Sequence, residues 1–162
     1  MKNLISIIGL ISLSCFSLKA AEPAIGSALP ALSGLLPGAK LPKTAGKVVL
    51  VDFWASWCAP CKASFPTMAR LHQKYAAKGL VIIGIGVDDD IKDYQGFVAK
   101  YPVGFTLVHD AKQTAAGFFN PPTMPTSYLI DRSGKITHIH KGFKGAKTET
   151  EYTQEIESLL GK

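Results

Sequence analysis

Cys58 and Cys61 stand three positions apart in the run Trp57-Cys58-Ala59-Pro60-Cys61. Two thiols at that spacing can trade electrons with a disulfide, or they can supply half of a metal site. A structural staple is the weaker explanation, because so short a loop removes little entropy from the unfolded chain. The pair follows a strand-like run and opens a helix-like one. The Cys58 sulfur is therefore expected to face backbone N–H groups that lack helical partners, at the positive end of the helix dipole. Both effects favour the thiolate, which can lower a cysteine pKa from about 8.5 to roughly 3.5–7.5. Cys58 is the predicted nucleophile. Cys61, about one helical turn on and deeper, is the predicted resolving thiol. Pro60 costs little in a first turn and stiffens the geometry between the sulfurs.

A zinc site needs two further ligands, and after the leader no other cysteine remains. His138 and His140 are the residues that could complete one, as in a copper- or zinc-binding chaperone. Alternating histidines on a hairpin more often line a core or face water, and His72 and His109 are read in that plain way; no metal is assigned. The Asp88-Asp89-Asp90 run precedes a helix and is read as capping it. Gly84-Ile85-Gly86 lies inside a strand with no helix start behind it, so it is not a dinucleotide fingerprint.

The elements that must position this pair come from the hydrophobic pattern. Val48 to Trp54 is a continuous apolar and aromatic run, a strand buried on both faces. A helix is predicted from Ala59 to about Tyr75, with Phe65, Met68, Leu71 and Tyr75 along one stripe and Pro66 kinking it. Strands are expected at Leu80–Val87 and Phe105–Val108, around a helix from Ile91 to about Lys100, followed by a short helix from Ala111 to Phe118. Thr126–Ile130, an Asp131–Gly134 turn and Lys135–Lys141 form a hairpin, with Ile136, His138 and His140 on one face and Thr137 and Ile139 on the other. A final helix follows, for which Thr148 and Glu151 make a capping-box pattern. Helices between the early strands require parallel pairing and the hairpin antiparallel pairing. The expected fold class is α/β, a central mixed sheet flanked by helices on both faces.

Residues 1–20 read as a signal peptide: a lysine near the start, an apolar run from Leu4 to about Leu18, and alanines offering a cut after Ala20. Lipoprotein processing at Cys15 is an alternative that Leu13 and Ser12 fit poorly. Residues 21–46, punctuated by Pro30, Pro37 and Pro42, form an irregular lead-in that can include an edge hairpin; one domain occupies 47–162. Eighteen basic and twelve acidic residues give a net charge of +6, and +4 without Lys2 and Lys19. That charge is spread thinly, which fits solubility and not a nucleic-acid stripe. A monomer without a cofactor is expected.

Two longer motifs carry a resemblance. Val51-Asp52-Phe53-Trp54-Ala55-Ser56-Trp57-Cys58-Ala59-Pro60-Cys61-Lys62 resembles the active-site signature of thioredoxins. Met124-Pro125-Thr126-Ser127-Tyr128-Leu129-Ile130-Asp131, followed by Gly134-Lys135-Ile136, is similar to the second signature of the exported TlpA-like and ResA-like thiol-disulfide reductases. The likeness spans about residues 47–143 and implies a thioredoxin fold. It also implies that Pro125 follows a cis peptide bond beside the cysteines, leaving Met124 backbone groups to pair with a substrate. Asp52 matches a buried carboxylate that moves protons to and from the resolving thiol; a lone Asp in an apolar strand should have a raised pKa, which suits a general base. Trp57 is expected to shield the disulfide, with a plain core role as the alternative. Ser64 stands where many ResA-like members carry a glutamate, the Ala59-Pro60 dipeptide leaves the redox potential open, and residues 118–123 lack the glycine usual before the second motif. The implied partners are disulfide-bearing exported proteins, apocytochrome c among them, and a membrane thiol electron donor. An oxidase or isomerase with the same parts and opposite electron flow is the competing function.

Overall fold

The computed structural model describes residues 23–161; the expected leader and Cys15 lie outside the described residues. In chain order the elements are α1 (Leu32–Leu35), β1 (Val48–Trp54), α2 (Ala59–Tyr75), β2 (Leu80–Gly86), α3 (Ile91–Lys100), β3 (Thr106–His109), α4 (Thr114–Phe119), β4 (Thr126–Ile130), β5 (Ile136–Lys141) and α5 (Ala146–Leu160). Five strands form one mixed sheet in the order β3-β2-β1-β4-β5. The β1-β2 and β2-β3 pairs are parallel, whereas β1-β4 and β4-β5 are antiparallel. Every residue of β1 is buried, as a strand covered on both faces requires.

Alternation along β1 sends its side chains to two different layers. Trp54 packs against Phe65 of α2 and against Tyr94 and Phe97 of α3, with ring centroids 5.2, 5.5 and 4.4 Å away. Phe53 points the other way, onto Phe119 of α4 at 5.0 Å, with Tyr128 of β4 completing the cluster. Gly86 makes the first of these layers fit: a Cβ there would stand 2.7 Å from the Tyr94 ring and 2.9 Å from that of Trp54. The glycines of β2 thus serve packing.

The structure corrects several expectations. Among the described residues the lead-in forms no hairpin; Ala28 makes a single antiparallel bridge to Lys135, and the amide of Leu29 donates to the Gly134 carbonyl. Pro30, which has no N–H, follows at once. The short helix begins at Thr114, not Ala111, because the buried Asp110 carboxylate accepts the amides of Thr114 at 3.0 Å and Ala116 at 2.8 Å. The capping box at Thr148 does not form. Gly145, at φ 60°, starts α5 earlier, and the Thr148 hydroxyl instead accepts the amide of Lys144 at 3.0 Å.

A register shift in the β4-β5 hairpin overturns its facial pattern. Leu129 pairs with His138 while Ile130 pairs with Ile136, so Thr137 is the extra residue of a bulge. Ile136 therefore shares a face with Ile139, and His138 and His140 lie together on the opposite one.

Candidate redox site at the end of the central strand

β1 ends at Trp54, and a short loop carries the chain into α2. Cys58 is the N-cap of α2, with Pro60 within the first turn. Its Sγ accepts the amide hydrogen of Cys61 at 3.1 Å, so the sulfur occupies the acceptor position that a capping oxygen usually takes. Cys58 and Cys61 are joined as a disulfide, with Cα atoms 5.3 Å apart. Cys61 is completely buried and Cys58 retains 4% exposure. Of the pair, only Cys58 retains any exposure. α2 runs unbroken past Pro66 to Tyr75.

Trp57 is 69% exposed, which excludes the core role considered for it. The loop that carries it is held from outside its own segment: the buried Asp88 carboxylate accepts the Ser56 amide with both oxygens, at 3.0 and 3.2 Å. Of the acidic run, only Asp90 caps α3, through the amide of Lys92. Asp88 is thus a site-building residue that the sequence pattern disguised as a helix cap. Ser64 is buried and donates its hydroxyl to the Cys61 carbonyl at 2.9 Å.

The Met124–Pro125 bond is cis. Pairing of Phe53 with Thr126 brings Pro125 to the sheet end where β1 delivers the cysteines. The Pro125 carbonyl accepts the amide of Gly142 at 2.7 Å, and Met124 is half-buried. Asn120 ends α4 in the left-handed conformation, at φ 44°, in place of the glycine expected before this motif.

Asp52 is wholly buried, and it shares with Trp54 the sheet face covered by α2 and α5. The Ser127 hydroxyl donates to its Oδ1, and Oδ2 has no partner among the described residues. Burial pushes its pKa up to about 7, against the opposing pull of the Ser127 hydrogen bond. Ser127 Oγ is also 2.7 Å from the Tyr152 hydroxyl. Burial, followed by the charge of Asp52, pushes the Tyr152 pKa well above the ordinary tyrosine range. The sequence alone left Ser127 and Tyr152 unassigned; the only available signal was that Ser127 belongs to the second motif.

His140 is 2.7 Å from Glu155 and its ring stacks edge-on against Tyr152 at 4.6 Å, while His138 contacts Thr137 at 3.0 Å. Among the described residues no group of three or more potential metal ligands comes together. No described helix is long and apolar enough to cross a membrane.

A disulfide pair of which only Cys58 keeps any exposure, together with a buried carboxyl whose pKa is raised to about 7, is an arrangement that can serve a two-step thiol exchange with a proton acceptor. Comparison with known proteins points the same way. The sequence pattern of the AhpC/TSA family matches residues 28–139. A thiol-disulfide oxidoreductase ResA of Bacillus cereus is 33% identical over 111 residues, 68% of this chain and 64% of that protein. That of Bacillus anthracis is 37% identical over 91 residues, covering 56% and 53% of the two chains. The matched region is thus little more than half of that curated relative. A crystal structure from Chlorobium tepidum, described as a thiol:disulfide interchange protein DsbE, superposes with a TM-score of 0.71 at 36% identity, covering 90% of this chain and all of that one.

Proposed function

Because the chain belongs to the AhpC/TSA family, within the thioredoxin superfamily, we propose that it is an exported thiol-disulfide oxidoreductase that reduces disulfides in exported proteins. The observation that carries this reading is the asymmetry of the two cysteines: Cys58 caps α2 and keeps slight exposure, and Cys61, inside the first turn, keeps none.

In the reduced protein the Cys58 thiolate attacks a substrate disulfide. A mixed disulfide forms, and the first substrate sulfur leaves as a thiolate that takes a proton from water. Cys61 then gives its proton to the Asp52 carboxylate and attacks Cys58 Sγ. The Cys58–Cys61 disulfide forms, and the second substrate sulfur leaves as a thiolate. Two electrons have passed to the substrate, and the protein has reached the oxidised state of this structure. A membrane thiol donor returns the electrons.

Cys61 is too enclosed to meet a protein substrate, so it resolves and does not initiate. Trp57 supplies an exposed aromatic surface beside Cys58, and Met124, ahead of the cis Pro125, offers backbone groups to pair with an extended substrate. Pro60 stiffens the turn between the sulfurs and Pro66 supports the helix behind them. Apocytochrome c is the proposed substrate class, and residues 1–20 are the proposed export leader.

A Cys61→Ala variant should accumulate mixed disulfides with its partners when expressed with the leader intact. Recovery of no adducts, with Cys58 still alkylatable, would overturn the exchange reading. Direction is decided by the reduction potential: a reductase should lie near the reducing values of thioredoxin, about −270 mV, and a value near about −120 mV would make the protein an oxidase.

A further inference from the structure

The buried carboxylate does not stand alone; it ends a hydrogen-bonded chain that crosses from β1 through β4 to α5. Asp52 and Ser127 are register partners on adjacent antiparallel strands, so their side chains leave the sheet on the same face. Ser127 is 1% exposed and Tyr152 also 1%, which leaves the chain closed to water along its length.

Counting hydrogens fixes the direction of each bond. An ionised Asp52 carries none, so the hydrogen between it and Ser127 must be the serine's. The serine has one hydrogen, and it is already used. Between Ser127 and Tyr152 the phenol must therefore be the donor, although either oxygen could donate in isolation. A protonated Asp52 has two choices. With the proton on Oδ1, Ser127 must accept from the acid, and either the serine hydrogen or the phenol hydrogen is left without an acceptor among the described residues. With the proton on Oδ2, both bonds of the chain stay in place but the acid's own hydrogen has no acceptor among the described residues, so every hydrogen of the chain is bonded only while Asp52 is ionised.

We propose that Ser127 and Tyr152 are positioning residues for Asp52: Tyr152 donates to Ser127 and Ser127 donates to Oδ1, a chain whose hydrogens are all bonded only while the carboxylate is ionised. The chain also sets where Asp52 titrates, because the Ser127 bond favours the anion that burial disfavours. Other groups bear on it from each side. α2 brings Cys58 and Cys61 over the same sheet face, and β2 contributes only Gly84 opposite Asp52. Behind Tyr152 stand His140 of β5 and Glu151 and Glu155 of α5, whose negative charge adds to the reluctance of the phenol to ionise.

This assignment rests on Asp52 being the proton acceptor of the proposed reaction, and the test separates the two ideas. The oxidised protein, labelled with 13C at aspartate carboxyls and assigned with Asp52→Asn, is titrated by NMR. Ser127→Ala should raise the Asp52 midpoint by about one pH unit or more, Tyr152→Phe should raise it by less, and Ser127→Thr should hold it near the unsubstituted value. Midpoints unchanged in Ser127→Ala and Tyr152→Phe, or moved downward, would overturn the proposal; a merely structural role for either residue would alter melting and leave the midpoint in place. Resolution of a preformed mixed disulfide by Asp52→Asn tests the underlying step by itself. If resolution stays as fast as in the unsubstituted protein, Asp52 is not the acceptor, whereas an upward shift in Ser127→Ala still establishes the hydrogen-bond chain.

Discussion

Two neighbouring residues of one strand, Asp52 and Phe53, are both at zero exposure and face opposite environments. Phe53 faces the α1 and α4 side, where Phe119 and Tyr128 close around it and the Tyr128 hydroxyl donates to the Phe119 carbonyl at 3.2 Å. Asp52 faces the α2 and α5 side, where one carboxylate oxygen is bonded and the other is left open. Burying a carboxylate that keeps an unpartnered oxygen is costly, and burying a phenylalanine is favourable. Phe53 therefore stabilises the fold, while Asp52 gives up stability to keep a group that titrates near neutral pH.

Substitutions on the two faces should separate accordingly. The largest effect is expected at the sulfur both faces serve: Cys58→Ala should abolish disulfide exchange outright, measured as loss of insulin-reduction activity, with the fold retained. On the aromatic face, Phe119→Ala should cost about 3–5 kcal/mol in urea unfolding while the reduction potential stays near the unsubstituted value. A large shift in potential would erase the proposed division of labour.

On the polar face the sign reverses. Asp52 titrates at about 7 in the folded chain against an ordinary 3.8, so its contribution to stability is fully present below about pH 4 and is lost as the pH rises through 7. Asp52→Asn should then be the more stable protein at pH 8, by up to about 4 kcal/mol, with the gap closing toward pH 4. Unfolding curves across that range check it; a gap that does not vary with pH would mean the carboxyl titrates in the fold at its unfolded value. The smallest effect is expected at the loop between the faces. Asp88→Ala should cost about 1–2 kcal/mol and speed amide exchange at Ser56, leaving the Asp52 midpoint where it was.

Much of this arrangement is legible residue by residue. The apolar run at 48–54 fits a doubly covered strand, and the structure has that strand with the Cys-X-X-Cys pair after it at a helix start. An aspartate inside such a run has no route to water, so its raised pKa follows from its neighbours in sequence. Asp88 shows where local pattern misleads. Three consecutive aspartates before a helix resemble a cap, yet only Asp90 caps, and Asp88 reaches a loop 32 residues upstream. The histidines show another case: one extra residue, Thr137, turns His138 and His140 to the face opposite Ile136, which no period-two count reveals.

What this sequence determines by itself is the order and type of the main elements, which strand avoids water and where two thiols meet a helix terminus, because these depend on residues within a few positions of one another. The partners of those groups belong to the tertiary structure. Ser127 meets Asp52 only through the register of two antiparallel strands 75 residues apart, and Tyr152 completes the chain only because α5 packs across that face. Hydrogen-bond partnership demands placement within tenths of an ångström, and that is set by how layers pack.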